Sequence, residues 1–111
     1  MFEDLYDAIS FLWSAAWPTV QGQITEVDVE RITHSRGRDT WRLALAYKFS
    51  LANDGPYTGE SFWSPAIDLG QGRKKVLAAR HHFHIGGPVL VRYRRDDPSV
   101  NTLDRSVWRS A

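Results

Sequence analysis

Hydrophobic residues near the start of the chain recur with the spacing of an amphipathic helix. Between residues 1 and 17 they follow the i, i+3, i+4, i+7 rule, with acidic residues and serines on the opposite face. Pro18 disfavours helical backbone at Trp17, so the helix is predicted to end there. The apolar stripe comprises Phe2, Leu5, Tyr6, Ile9, Leu12, Trp13 and Ala16. Such an apolar stripe is stable only when it is buried from water, and we expect it to pack against its own domain, a second subunit or a partner.

Beyond residue 18 the hydrophobic spacing changes to two, which is typical of half-buried β-strands. Gln21–Ile32 alternates with one slip between Ile24 and Val27, and such a slip predicts a β-bulge. Thr40–Phe49 alternates without a slip and is the most regular strand of the sequence. Its predicted core face consists of Trp41, Leu43, Leu45, Tyr47 and Phe49.

Turn-forming residues divide the rest of the chain into short elements. In order, the pattern predicts a hairpin turn at His34–Asp39, a turn at Ala52–Pro56, a strand at Tyr57–Trp63, a loop at Ser64–Lys75, a helix at Arg73–His82 ended by Gly86-Gly87, a strand at Val89–Tyr93, a turn at Asp96–Ser99 and a strand at Val100–Leu103. The predicted fold is mostly β (α+β): a small antiparallel sheet or partly open barrel of about four to six strands. It carries the N-terminal amphipathic helix at residues 1–17 and one short helix before the penultimate strand. Residues 18–111 would form a single β domain.

Composition narrows the class of protein without naming an activity. The 111 residues suit one domain, and the net charge of +1 gives no global attraction to nucleic acid or membrane. Because cysteine is absent, disulfides, thiolate zinc sites and thiol nucleophiles are excluded. The longest nearly apolar run, Ala8–Trp17, is about half a membrane span. We therefore expect a cytoplasmic protein that does not span a membrane, with peripheral membrane association left open.

Three short motifs then occur in a fixed order. They are WPTVQGQI at Trp17–Ile24, YTGES at Tyr57–Ser61 and GGPVLVRYRRDDPSVNTLD at Gly86–Asp104. In order and spacing they resemble the DUF3592 family, small domains of unknown function that are common in bacterial proteins. The matching positions are Trp17, Pro18, Gly22, Ile24, Tyr57, Gly59, Gly86 or Gly87, Val89, Val91, Tyr93, Pro98 and Leu103. The resemblance implies a DUF3592-like domain from residue 18 onward and supplies no catalytic residue.

Two features depart from that family pattern. Tyr93 is followed by Arg94 and Arg95 where the family has a proline. Many members also flank the domain with membrane helices, whereas the segment before this domain is amphipathic and acidic.

The histidines are the first candidates for chemistry. His81 and His84 are three residues apart and would share a face of a helix. A divalent metal ion would need a third ligand, such as Asp68 or Asp97. The competing interpretation is that the imidazoles lie near a helix C-terminus and interact with its last carbonyls. No complete metal motif is present, so the sequence favours the structural interpretation and no cofactor is expected.

A basic strand face is the second candidate. Arg92 and Arg94 project to one side of the Val89–Tyr93 strand, and Arg95 follows them. Binding of single-stranded nucleic acid would need aromatic platforms on that same side. The alternation of the strands places the aromatic residues on the opposite, core side, so nucleic-acid binding is not favoured.

The sequence therefore predicts a non-catalytic interaction module, with a protein partner or a homodimer formed through the N-terminal helix. Its expected working surfaces are the helix stripe of Leu5, Ile9, Leu12 and Trp13, and the basic face of Arg92, Arg94 and Arg95. The first alternative is a metal-dependent enzyme or metal-binding protein using His81, His84 and Asp97. Binding of single-stranded nucleic acid through the basic face is the second alternative.

Overall fold

The computed structural model describes residues 16–35, 37, 39–65 and 70–110. The strands in these ranges are β1 (Thr19–Ile32), β2 (Thr40–Leu51), β3 (Asp54–Trp63), β4 (Pro88–Arg94) and β5 (Asp97–Leu103). An α-helix, α1 (Gly72–Arg80), precedes β4, and a 3-10 helix (Arg105–Ser110) follows β5. The predicted N-terminal helix lies outside the described residues, apart from the turn at Ala16 and Trp17.

The five strands form one antiparallel sheet in the order β3-β2-β1-β4-β5. Its two edge strands approach each other. The Asn101 Nδ2 amide donates to the Thr58 carbonyl at 3.2 Å, and the Leu103 N–H donates to Ser61 Oγ at 3.3 Å. The sheet is thus nearly closed into a barrel, which confirms the predicted mostly-β architecture.

The predicted bulge in β1 is confirmed. The pairing of β1 with β2 shifts register between Ile24 and Glu26. An extra residue of this kind bends its strand and increases the local twist. Before the bulge, Thr19–Gln23 pair with β4, and the pairing with β2 begins at Gln23. After the bulge, β1 pairs with β2 alone among the described residues.

The core lies on the inner face of the barrel and against α1. On β2 the predicted core positions Leu43, Leu45, Tyr47 and Phe49 are all buried, and Trp41 is half-buried. Most of the core comes from alternate residues of β2 and β4, and β1 and β5 add Ile24 and Leu103. A second cluster joins Leu43 to two buried residues of α1, Val76 and Ala79. The helix therefore packs against the inner face of β2.

Two predicted turns prove shorter than expected. The β2–β3 turn is only Ala52-Asn53, because Asp54 already pairs with Leu51. Likewise Arg95-Asp96 form the β4–β5 turn, and Asp97 is the first residue of β5. Pro56 and Pro98 fall within the turns that the sequence predicts. Both prolines lie in edge strands, where a missing backbone N–H is tolerated.

The end of α1 also differs from the prediction. The helix ends at Arg80 and not at His82. The N–H groups of His81 and His82 donate to carbonyls three residues earlier, which is the tighter 3-10 pattern that often finishes an α-helix. Gly86 does not terminate the helix. It takes a positive φ of 88° in a separate turn that leads into β4.

Candidate functional site

The residues of the metal hypothesis are not brought together. His81 and His84 are exposed in the segment after α1, whereas Asp97 begins β5 and its carboxylate accepts from Ser99 Oγ at 2.5 Å. No group of three or more His, Cys, Asp or Glu side chains that could hold a metal ion occurs in the described part of the chain. Asp68, the other suggested ligand, lies outside the described residues.

The three arginines of the predicted basic face have different environments. Arg92 is half-buried: its Nε donates to Asp104 Oδ1 at 2.5 Å and its Nη1 to the Trp17 carbonyl at 3.0 Å. Arg94 is exposed and pairs with Asp96 at 2.7 Å, and Arg95 is exposed in the turn. Arg92 therefore joins the start of β1 to the end of β5.

Asp104 is the centre of this polar network. Besides Arg92, its carboxylate accepts from the Ser106 hydroxyl at 2.5 Å and the Ser106 N–H at 3.0 Å. The Ser106 hydroxyl, then its N–H and the Arg92 guanidinium, lower the pKa of Asp104 against the opposing effect of burial. The carboxylate oxygens of Asp104 thus accept hydrogen bonds that stabilise the fold.

A second network closes the barrel. The Tyr47 hydroxyl donates to Asn101 Oδ1 at 2.7 Å, and burial raises the pKa of Tyr47. Gly59 lies directly opposite Tyr47 on β3. A Cβ at Gly59 would lie 2.5 Å from the Tyr47 ring carbon Cζ, so only glycine lets the ring cross β3 to reach β5.

The family-like motifs are explained by these contacts. In the first motif, the carbonyls of Trp17 and Pro18 accept from the Arg92 side chain and the Tyr93 N–H, both in the last motif. A Cβ at Gly22 would lie 2.8 Å from the Lys48 carbonyl oxygen and 2.9 Å from Val91 Cγ2. The motifs therefore describe how the barrel is closed.

The structure has a groove beside α1 that the sequence pattern did not predict, and we call it the α1 groove. It has a volume of about 750 Å³. It is lined by Val27, Leu77, Arg80, His81, Phe83, His84 and Ile85. Ile85 is 71% exposed, whereas Phe83 is half-buried and packs edge-on against Trp108, with ring centroids 5.7 Å apart. The lining of the groove thus combines apolar side chains with histidine and arginine.

An open strand edge runs beside this groove. The pairing of β1 with β4 ends at Gln23 and Pro88, and the last bonds join Ile24 to Gly86 and Gly87. From residue 25, which is the unpaired bulge residue, to residue 32, β1 has a strand partner on one side at most among the described residues. We call this segment the free β1 edge. β1 has 14 residues against seven in β4, so β4 cannot cover its whole length.

The described residues form a nearly closed, five-stranded antiparallel barrel with one packed helix and an apolar groove, and this architecture gives the class of protein. The chain belongs to DUF3592, a domain of unknown function, whose family model matches residues 20–108. Comparisons with curated proteins and with solved structures give no match. Within the described ranges, no helix is long and apolar enough to cross a membrane.

Proposed function

We propose that this protein is a non-catalytic interaction module that binds a protein partner through the α1 groove. The supporting observation is the position of Ile85, 71% exposed at the rim of a concave apolar surface. An isolated exposed apolar side chain is ordinary on a protein surface. Next to a groove lined by Val27, Leu77 and Phe83, it resembles the anchors around which protein interfaces form.

The chemistry of the polar groups supports binding over catalysis. The shifted pKa values of Tyr47 and Asp104 belong to groups that hold strands together. Tyr57 has a raised pKa mainly because its hydroxyl donates to the Asp54 carboxylate, a contact beside the turn of the β2–β3 hairpin. Arg92 is engaged with Asp104, which weakens the case for a nucleic-acid surface on β4.

The surface predicted on the N-terminal helix stays a prediction. Its stripe of Leu5, Ile9, Leu12 and Trp13 lies outside the described residues. As part of this proposal it is a second contact surface, for a protein partner or a second copy of the chain. The cytoplasmic location also stays a prediction.

Replacing Ile85 by aspartate should abolish partner capture. The charge would face the apolar groove, and losing an isoleucine anchor that the partner would cover weakens binding by roughly tenfold to a hundredfold. The measurement is affinity capture from a lysate of the native host. Wild type and Ile85→Asp are immobilised as baits in equal amounts. Val100→Asp is the matched control, since Val100 is 38% exposed on β5 and does not line the groove.

The proposal is supported if wild type and Val100→Asp both retain the partner and Ile85→Asp loses it. The thermal midpoint of Ile85→Asp must be the same as that of wild type. Absence of any specifically retained protein contradicts it, as does equal retention by Ile85→Asp. A Leu12→Glu, Trp13→Glu bait tests the second surface. If that bait alone loses the partner, binding belongs to the helix stripe and not to the groove.

A further inference from the structure

We propose that the free β1 edge binds an extended segment of a partner protein as an added antiparallel or parallel strand, and that this segment carries basic residues at alternate positions. The inference rests on the proposed function and specifies the chemistry of its partner. Three features of the surface carry it: the unpaired backbone, the adjoining groove and the charges of the outer face.

The backbone comes first. Past Ile24, the N–H and C=O groups that point away from β2 have no strand partner among the described residues. The open segment, residues 25–32, has the length of an ordinary strand. A strand edge left open in this way is a template for adding a further strand, and main-chain hydrogen bonds then supply affinity.

The groove supplies specificity on the inner face. Val27 belongs both to the free β1 edge and to the lining of the α1 groove. Val27 and Val29 are half-buried on the inner face, so alternate side chains of an added strand would face the same way. Apolar residues at those positions would extend into the groove between Leu77 and Ile85.

The outer face selects the charge of the partner. Glu26, Asp28 and Glu30 alternate along it, opposite Ala46, Ala44 and Arg42 of β2 respectively. Glu30 is paired with Arg42 at 2.8 Å. Glu26 and Asp28 are exposed, and no ion pair reaches either of them within the described ranges. Lysine or arginine on the outer face of an added strand would complement these carboxylates.

The same charges disfavour the other occupants. If two copies paired antiparallel through this edge in a register centred on Asp28 or Val29, Asp28 would lie opposite itself or opposite Glu30, and like charges directly opposite are destabilising. The N-terminal segment of the chain carries Glu3, Asp4 and Asp7, which have the same sign as the outer face. A basic strand from another protein fits the edge better than either.

The test is an NMR titration of the ¹⁵N-labelled full chain with synthetic peptides. The first probe is a capped seven-residue peptide of alternating valine and lysine. A second replaces lysine with glutamate, and a third carries N-methyl groups that remove alternate backbone donors. We expect chemical-shift changes at residues 25–32 and at Ile85 with the lysine peptide, and binding weaker by at least about tenfold for the other two.

A charge reversal on the protein gives the decisive comparison. Asp28→Lys should lower the affinity for the lysine peptide by about tenfold and make the glutamate peptide the tighter ligand. Glu60→Lys makes the same charge change on the outer face of β3, away from β1, and should leave the preference as in wild type. If both variants weaken the lysine peptide equally, the attraction is general and the inference is wrong.

The outcomes separate this inference from the proposed function. If an Ile85-dependent partner is captured but no peptide shifts the β1 amides, the module binds a partner in another way and strand addition is overturned. If the lysine peptide binds at β1 but Ile85→Asp still captures its partner, strand addition stands and the groove is not the anchor.

Discussion

Gly59→Ala is expected to lower the free energy of unfolding by about 3 kcal/mol, at the upper end of what one added methyl group costs in a packed core. The new Cβ would overlap the Tyr47 ring, 2.5 Å from Cζ, and would collide with the Asn101 side chain. The Tyr47 ring must move to remove this overlap, and the movement breaks the 2.7 Å hydrogen bond from Tyr47 to Asn101. The contact between β3 and β5 would open with it.

The measurement is urea unfolding of Gly59→Ala beside Thr58→Ala, with thermal unfolding as a second probe. Thr58 is the exposed neighbour on the same strand, and its truncation should cost less than about 0.5 kcal/mol. The glycine variant should melt on the order of 10 °C below wild type. A Gly59→Ala protein that melts within about 2 °C of wild type would show that the ring does not need this glycine.

Asp104→Ala is expected to cost about 3 kcal/mol as well. The substitution removes the acceptor of the half-buried Arg92 and of both Ser106 donors. Removing one partner of a largely buried charge pair costs more than the pair itself contributes, because the remaining charge is left without a partner. Asp96→Ala is the matched control, since its pair with Arg94 is exposed and should contribute little.

The pH dependence of this variant gives an independent check. Hydrogen bonds from the Ser106 hydroxyl, together with Arg92, hold the pKa of Asp104 below its ordinary value. A lowered pKa in the folded state means that stabilisation is present above the ordinary carboxyl pKa of about 3.9 and is lost as pH falls through the folded value. The difference between wild type and Asp104→Ala should therefore shrink below about pH 4. A difference that stays constant down to pH 2 would contradict the assignment.

The strand pattern was predictable where alternation was continuous. β2 could be located, with its buried face, because its apolar residues keep a period of two from Trp41 to Phe49. The bulge in β1 was also visible, because an extra residue leaves a gap in the alternation between Ile24 and Val27. Both features depend only on residues close together in the sequence, so a single sequence is enough to predict them.

Features that depend on distant contacts could not be predicted in the same way. Alternation placed Arg92 on a strand face but did not show that Asp104 and the Trp17 carbonyl would engage it there. The motif carrying Gly59 was recognised as a resemblance, but its cause is the Tyr47 ring on another strand. The free β1 edge arises because β4 starts opposite Gln23, and a tertiary pairing of this kind has no local signature.

Amide hydrogen exchange of the full chain, alone and with its captured partner, tests the central claim most directly. If the partner adds a strand to the free β1 edge, exchange should slow by at least about tenfold at alternate amides of residues 25–32, and Ile85 should be protected with them. Exchange at Arg92–Arg94 should stay as in the free protein. Protection confined to Arg92–Arg94, or no change along β1 in the saturated complex, would contradict the account.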